Sequence, residues 1–146
     1  MKIIEMQNET TLEIDISIME KIAQELSSRT VELLIVNENE MKELNRTHRG
    51  KEGSTDVLSF PLENPFPEGD DIKVPLGSIV ISEKETREAS KLFSHSVSNE
   101  TTLLFVHGLL HLLGYDHESD DGQMRAYEEK IIEKYKLPSS LIVRNY

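Results

Sequence analysis

The chain has 146 residues, with 16 basic and 27 acidic side chains, a formal net charge of −11 and no cysteine. That length supplies one hydrophobic core, so we expect a single domain over residues 1–146. The acidic balance argues against broad adhesion to nucleic acid or anionic membranes, and the lack of cysteine excludes disulfides and thiolate metal ligands. No apolar run is long enough for a bilayer and Met1–Glu5 shows no signal-peptide pattern, so a cytoplasmic protein without a membrane partner is expected.

The first part of the chain alternates short apolar runs with amphipathic segments. A strand is predicted within residues 1–7, and a capping-box pattern at Ser17 predicts the start of a helix. The inner face of that helix is predicted to consist of Ile18, Ile22 and Leu26, with Met19 and Ala23 beside them. The run Val31–Val36 predicts a buried strand, and Asn37 predicts the start of a second helix. This β-α-β-α order indicates that the first two strands lie parallel.

Two further strands are predicted on either side of a long loop. Residues 45–53 contain the only concentrated patch of positive charge and, because of their glycines, are predicted to form a loop. Thr55–Pro61 predicts a third strand. Residues 63–75 contain three prolines and are interpreted as a surface excursion, with a lid over a site as the less favoured alternative. Gly77–Ser82 predicts a fourth strand, antiparallel to the third.

The last part of the chain is predicted to be helical. Ser82 begins, with a second capping-box pattern, a helix that ends near Phe93 and has a solvated, mixed-charge face. Ser98 is the expected N-cap of a central apolar helix that ends at Gly114, and residues 119–121 begin a final helix. Together these elements predict an α+β fold with a mixed sheet of roughly four strands, in the order β-α-β-α-β-β, followed by helices.

The central helix carries the side chains best suited to chemistry. His107 and His111 are four residues apart, so their imidazoles lie on one face of a helix, one turn apart. His117 lies beyond Gly114, and the left-handed conformation expected of that glycine turns the chain so that the third imidazole can reach the other two. Since almost all flanking residues are apolar, the helix is expected in the centre of the domain, where an imidazole needs a hydrogen-bond partner or a metal.

Three histidines at this spacing predict a metal site rather than three ordinary core histidines. An all-nitrogen site suits one Zn²⁺ ion, although nickel, copper, iron or another divalent ion also accepts imidazole. Three protein ligands leave one tetrahedral position for water, which favours a catalytic site over a structural one.

Two motifs together resemble a known family. The stretches His107–His117 and Ser54–Pro61 are similar to motifs of the YbeY family of bacterial endoribonucleases, also called ribosomal RNA maturation factors. The resemblance covers nearly the whole chain, including its length, the order of its elements and an arginine, Arg49, ahead of Ser54. It implies that the three histidines are zinc ligands and that Arg49 is the functional arginine near the metal.

The resemblance also implies an activity and partners. Members of the family act on single-stranded RNA, in maturation of small-subunit ribosomal RNA and in ribosome quality control, with a small-subunit ribosomal protein and an assembly GTPase as partners. On this interpretation the metal activates a nucleophile and holds a phosphate oxygen, while Arg49 stabilises the charge that develops on the phosphate. Arg46 and Lys51 would guide the RNA into the cleft.

Two other functions stay open from the sequence. The histidine and glycine spacing is also that of metzincin peptidases, so a metzincin-like layout of the metal site is expected. Those enzymes have a general-base glutamate directly after the first histidine, where this chain has Gly108. The other alternative is a non-catalytic ribosome-assembly factor whose metal only braces the fold.

Several polar residues near the two motifs have open roles. Asp116 is interpreted chiefly as a turn residue, with orientation of a ligand histidine or proton relay as alternatives. Asp56 and Ser59 are explained equally well by strand-end packing and by catalysis. His48 and His95 are predicted to be ordinary surface histidines.

Overall fold

In a computed structural model of the chain, residues 2–62 and 74–138 are described. The elements, in chain order, are β1 (Ile4–Asn8), α1 (Ser17–Leu26), β2 (Val31–Val36), α2 (Glu38–Arg49), β3 (Val57–Pro61), β4 (Gly77–Ser82), α3 (Glu83–Leu92), α4 (Val97–Leu112) and α5 (Gln123–Tyr135). The predicted element order and the single-domain α+β fold are confirmed. The predicted loop over 63–75 lies mostly outside the described residues. Among the helices described, none combines the length and apolar character needed to cross a bilayer.

The four strands form one mixed sheet in the spatial order β1-β2-β4-β3. β1 runs parallel to β2 and β3 runs antiparallel to β4, as predicted. β4 also runs parallel to β2, a pairing that was not predicted from the sequence. The nearly continuous apolar sequences of β2 and β4 fit their central positions, because such strands are covered on both faces. β3 lies at one edge, and its outer side has no strand partner within the described part of the chain.

Alternate strand residues face two separate cores, because successive side chains of a strand point to opposite faces. The larger core lies between one face of the sheet and helices α1, α4 and α5, and it includes Leu33, Ile35, Ile79, Ile81, Met19, Ile22, Leu104, Leu109, Met124 and Ile131. The smaller core lies under α2 and consists of Val36, Met41, Leu58 and Val80, with Leu34, Leu44 and Phe60 packed against it. Helices therefore cover both faces of the sheet, and the core on the α2 side is the smaller of the two.

Helix α4 lies at the centre of the larger core and is buried over most of its length. Its N-cap is Ser96 and not Ser98, since the Ser96 hydroxyl accepts the Asn99 N–H at 3.0 Å. The hydroxyls of Thr101 and Thr102 donate to carbonyls one turn earlier, at 2.7 and 2.8 Å. These internal hydrogen bonds satisfy the polar side chains of the first half of the helix, which allows it to be buried.

The buried face of α1 differs by one residue from the prediction. Ile18 is 39% exposed. The buried residues of the helix are Met19, Ile22 and Ala23. Glu20 does not close a capping box with Ser17, because its carboxylate accepts the backbone N–H groups of Ile3 and Ile4 at the start of β1. A tertiary contact between strand and helix thus replaces the local cap.

Helix α2 is longer than predicted, since residues 45–49 form its last turn rather than a loop. Asn45 explains the extension, because its side chain is 4% exposed and donates to the Gly53 carbonyl at 2.9 Å. Arg49 is the final helical residue, and Gly50 follows in a left-handed conformation. The arginine is therefore positioned by a regular helix and not by a flexible loop.

His95, predicted to be a surface histidine, instead belongs to a buried pair. Its side chain is 10% exposed, and its Nε2 donates to Glu100 Oε1 at 2.6 Å, where the glutamate side chain is fully buried. A buried carboxylate is tolerated only when it is hydrogen-bonded or paired. The pair fixes the connection between α3 and α4, and it places an acidic residue inside the central helix.

We predict that His95→Ala lowers the free energy of unfolding by about 1.5–3 kcal/mol, since it removes a hydrogen bond to a buried carboxylate. His95→Gln retains a donor and should lose less. Urea unfolding of the three proteins measures the difference. Equal midpoints for wild type and His95→Ala would contradict a stabilising role of this pair.

Candidate metal centre

The three predicted histidines converge. The Nε2 atoms of His107 and His111 are 3.2 Å apart, and the ring of His117 lies 5.3 and 5.5 Å from the other two rings, between centroids. One ring nitrogen from each residue lies within 4.8 Å of the others. A tetrahedral ion with Zn–N bonds of about 2.0–2.1 Å holds its ligand nitrogens about 3.3 Å apart. The group can therefore hold one metal ion with small movements of His117.

The bend that brings His117 back has a defined geometry. Gly114 has a φ of +100°. The Tyr115 N–H donates to the Leu110 carbonyl and the Gly114 N–H donates to the His111 carbonyl, both at 3.0 Å. These two bonds form the Schellman arrangement, in which the residue with positive φ is usually glycine. The turn predicted at Gly114 is confirmed, and it satisfies the carbonyls at the end of α4.

Hydrogen bonds set which ring nitrogens face the common point. His111 Nδ1 donates to the Tyr115 carbonyl at 3.0 Å. His107 Nδ1 lies 3.4 Å from a carboxylate oxygen of Glu128, whose side chain is 1% exposed. A hydrogen bond from Nδ1 to an oxygen acceptor requires the ring proton to be on Nδ1. The Nε2 atom of each neutral ring therefore has a free lone pair that can bind a metal.

The electrostatics of His111 favour the form that binds metals. Burial lowers the pKa of His111, the neighbouring His107 lowers it further, and the hydrogen bond to the Tyr115 carbonyl opposes these effects without cancelling them. A lowered pKa keeps the imidazole neutral near pH 7, which is the protonation state that a metal ligand needs.

Asp116 acts within the turn that leads to His117. Its carboxylate accepts the Glu118 N–H at 3.0 Å and the Ser119 hydroxyl at 3.1 Å. These two hydrogen bonds, the backbone one first, lower the pKa of Asp116. The turn role predicted for this residue is confirmed.

The three histidines open onto a cleft of about 1010 Å³. One wall is the histidine group with the turn after it, the opposite wall is the end of α2, and β3 lies between them. The lining residues are His48, Arg49, Lys51, Thr55, Asp56, Val57, Leu58, Ser59, Phe60, Pro61, His107, His111, Asp116, His117 and Glu118. The cleft thus combines Arg49 and Lys51 with the histidines. Arg46 does not line it and instead pairs with Glu43 at 2.6 Å.

The open edge of β3 forms the floor of this cleft. The Ser82 N–H donates to the Asp56 carbonyl, and the Leu62 N–H donates to the Leu76 carbonyl, both at 2.9 Å. Since hydrogen-bonded positions alternate along an antiparallel strand, the backbone groups of Ser59 point away from β4. They can therefore meet a ligand that lies along the strand.

Asp56 lies at the inner end of the cleft, where β3 begins. Burial raises the pKa of the Asp56 carboxyl, while the Val57 N–H and then the nearby His107 act in the opposite direction. Its Oδ1 accepts the Val57 N–H at 2.7 Å. The side chain therefore has a structural bond at the strand start and a position beside the histidine group.

Gly108 packs against the sheet rather than facing the cleft. A Cβ atom there would lie 3.0 Å from Ile79 Cγ2 and 3.1 Å from Ser59 Oγ. The Ser59 hydroxyl also donates to the Gly108 carbonyl, at 3.4 Å. A side chain at this position would have to displace part of the contact between α4 and the strands.

Two residues near the site were not identified from the sequence. Glu128 reaches His107 from α5, and the sequence shows only an acidic residue within an ordinary amphipathic pattern. His48, predicted to be a plain surface residue, lines the cleft beside Phe60, with ring centroids 4.8 Å apart. Both placements depend on contacts between segments far apart in the chain.

Comparison with known proteins identifies the family of the chain. The chain matches the family described as Endoribonuclease YbeY over residues 2–136. Proteins named Endoribonuclease YbeY from Sulfurovum sp. and Aliarcobacter butzleri are 55% and 51% identical to it, covering 98% and 97% of this chain and 97% and 99% of their own. A solution structure from Thermotoga maritima is 27% identical, covers 91% of each chain and superposes with a TM-score of 0.56.

The chain belongs to the YbeY family of endoribonucleases, so the predicted family membership and enzyme class are confirmed.

We predict that Glu128→Gln weakens zinc binding about 10-fold, because removing the carboxylate partner of a ligand histidine typically costs 10- to 100-fold in affinity. Competition with a chromophoric chelator measures the dissociation constant. Glu129→Gln is the matched control, since Glu129 is the next residue, is exposed and pairs with Arg125. Equal zinc affinities for the two variants, with both proteins folded, would show that Glu128 does not support His107.

Proposed function

We propose that this protein is a metal-dependent endoribonuclease that cleaves single-stranded RNA during maturation of small-subunit ribosomal RNA and in ribosome quality control. The observation that carries the proposal is the cleft in which three converging imidazoles face Arg49, in a chain of the YbeY family. On this proposal the protein acts in the cytoplasm, with a small-subunit ribosomal protein and an assembly GTPase as partners.

His107, His111 and His117 would hold the metal, with one Zn²⁺ ion as the first choice and nickel or another divalent ion as alternatives. The donor set fits such an ion, because two rings already direct Nε2 to one point and have their Nδ1 atoms hydrogen-bonded. When bound, zinc supplies Lewis acidity and lowers the pKa of a water to about 7. This chemistry does not require a glutamate at position 108.

Arg49 would bind the phosphate. It is exposed at the end of α2, lines the cleft and makes no ion pair with any residue that the structure describes. The planar guanidinium matches two phosphate oxygens at once, and its charge stabilises the charge that develops on them. Lys51, on the same wall, adds electrostatic attraction for RNA.

The charge of the chain supports a localised binding site for RNA. The net charge of −11 argues against broad adhesion to polyanions. Cationic side chains on one wall of the cleft, opposite a site for a divalent ion, provide a local exception. A substrate strand would therefore bind where the chemistry takes place.

The metallopeptidase alternative is disfavoured by the residue at position 108. A peptidase of the metzincin type has a general-base glutamate directly after the first histidine, whereas this chain has Gly108 there. The third possibility, an assembly factor with a structural metal, shares the same histidine geometry. Activity measurements separate it from the proposal.

We predict that purified wild-type protein contains about one equivalent of divalent metal and cleaves single-stranded RNA, and that His111→Ala loses both, because two imidazoles bind a divalent ion weakly. Elemental analysis and an RNA cleavage assay are performed on the same samples. Metal without RNA cleavage, over a range of added divalent ions, would overturn the proposal in favour of the assembly factor.

We further predict that Arg49→Ala retains the metal and the fold but cleaves RNA about 10²- to 10³-fold more slowly, since it removes a donor aimed at developing charge. Arg46→Ala is the matched control, because Arg46 lies one turn earlier in α2 and pairs with Glu43 outside the cleft. Comparable rates for the two variants would remove Arg49 from the proposed site.

A further inference from the structure

An aromatic pair lines the cleft on the side of Arg49. The rings of His48 and Phe60 are 4.8 Å apart between centroids, at an interplanar angle of 63°. Both residues line the same cleft as the three histidines. The part of the chain that the structure describes places His48 outside the histidine group that can hold a metal.

The two rings differ in how they are held. Phe60 is half-buried and packs against the smaller core, on the side of the sheet that α2 covers. His48 is exposed in the last turn of α2, directly before Arg49. Phe60 is thus a fixed ring, and His48 is an accessible ring that leans against it. This combination offers a flat, partly apolar surface to a ligand in the cleft.

The strand β3 connects this pair to the metal centre. Ser59, directly before Phe60, contacts Gly108, which directly follows His107. The pair, Ser59 and the three histidines line the same cleft, so the pair lies along the path of an RNA strand that runs beside β3 between the two walls. A substrate strand held by the metal and Arg49 therefore passes His48.

We propose that His48 and Phe60 form a nucleobase subsite that stacks one unpaired base of a single-stranded RNA next to the scissile phosphate. This inference rests on the proposed function, and it gives a physical reason why the enzyme would prefer single-stranded RNA. A base in a duplex already stacks on both faces, whereas an unpaired base has a free face for an aromatic ring. Stacking needs no particular base, because each base has a π-face.

The adjacent side chains divide the recognition of one nucleotide. Arg49 binds a phosphate through its guanidinium, and His48, one residue earlier on the same turn, contacts the attached base. The backbone groups of Ser59 lie between this wall and the histidines, on the open edge of β3. The subsite thus orients the RNA strand so that it runs along β3.

The test combines a protein change with an RNA change. Short single-stranded RNAs carry one abasic ribonucleotide, moved position by position, and kcat/KM is measured for each with wild type and His48→Ala. Wild type should lose about 5- to 100-fold at one position next to the cleavage point, the range expected for one stacked base. His48→Ala should lose a similar factor on intact RNA and show no further loss at that position.

Three variants make the test specific. His48→Tyr keeps an aromatic ring and should restore sensitivity to the abasic position, and Phe60→Leu keeps apolar packing but should reduce that sensitivity. Thr47→Ala is the matched control, since Thr47 is exposed on the same helical turn and does not line the cleft. It should behave as wild type on all the RNAs.

The outcomes distinguish this inference from the proposed function. The base subsite is overturned if wild type cleaves RNA but an abasic nucleotide lowers kcat/KM at no position. It is also overturned if the losses in kcat/KM caused by His48→Ala and by the abasic nucleotide multiply. In both cases the endoribonuclease assignment stands. If wild type cleaves no RNA under any metal condition, both are overturned.

Discussion

Burial of imidazoles in the central helix is the constraint on which the rest of the structure depends. α4 is apolar on nearly every side, and its two histidines lose hydration that must be replaced. The Tyr115 carbonyl and the Glu128 carboxylate replace it at the two Nδ1 atoms. The same Tyr115 caps the helix through its N–H. One turn therefore ends the helix, orients His111 and directs the chain toward His117.

The cleft follows from where β3 lies in the sheet. As an edge strand it leaves one row of backbone groups unpaired, and the helices on the two faces extend beyond it as opposing walls. α4 supplies the histidines on one wall, and the last turn of α2 supplies His48 and Arg49 on the other. Neither wall alone contains the complete site. Its geometry therefore depends on the packing of both helices against the same sheet.

Local sequence patterns predicted most of the fold and the convergence of the three histidines. Strand β2 and the spacing of His107, Gly114 and His117 were recognisable because strand alternation, helical periodicity and helix-ending glycine act over a few residues. The errors arose where a contact outside the element outweighs its local pattern. Glu20 accepts from the backbone at the start of β1 instead of capping α1, and Asn45, in the extended part of α2, donates to the Gly53 carbonyl. The roles of Glu128 and His95 depend on partners that no local pattern indicates.

The chain differs from the peptidases with the same histidine spacing at Gly108, the position of their general-base glutamate. Here the helix approaches β3 and β4 closely at Gly108, where even a Cβ would touch Ile79 and Ser59. That close approach brings Ser59 and the open edge of β3 next to the histidines. The chain thus has a strand edge beside the histidine group and no general-base glutamate at position 108, so on the proposed function a bound ion and Arg49 would stabilise the developing charge.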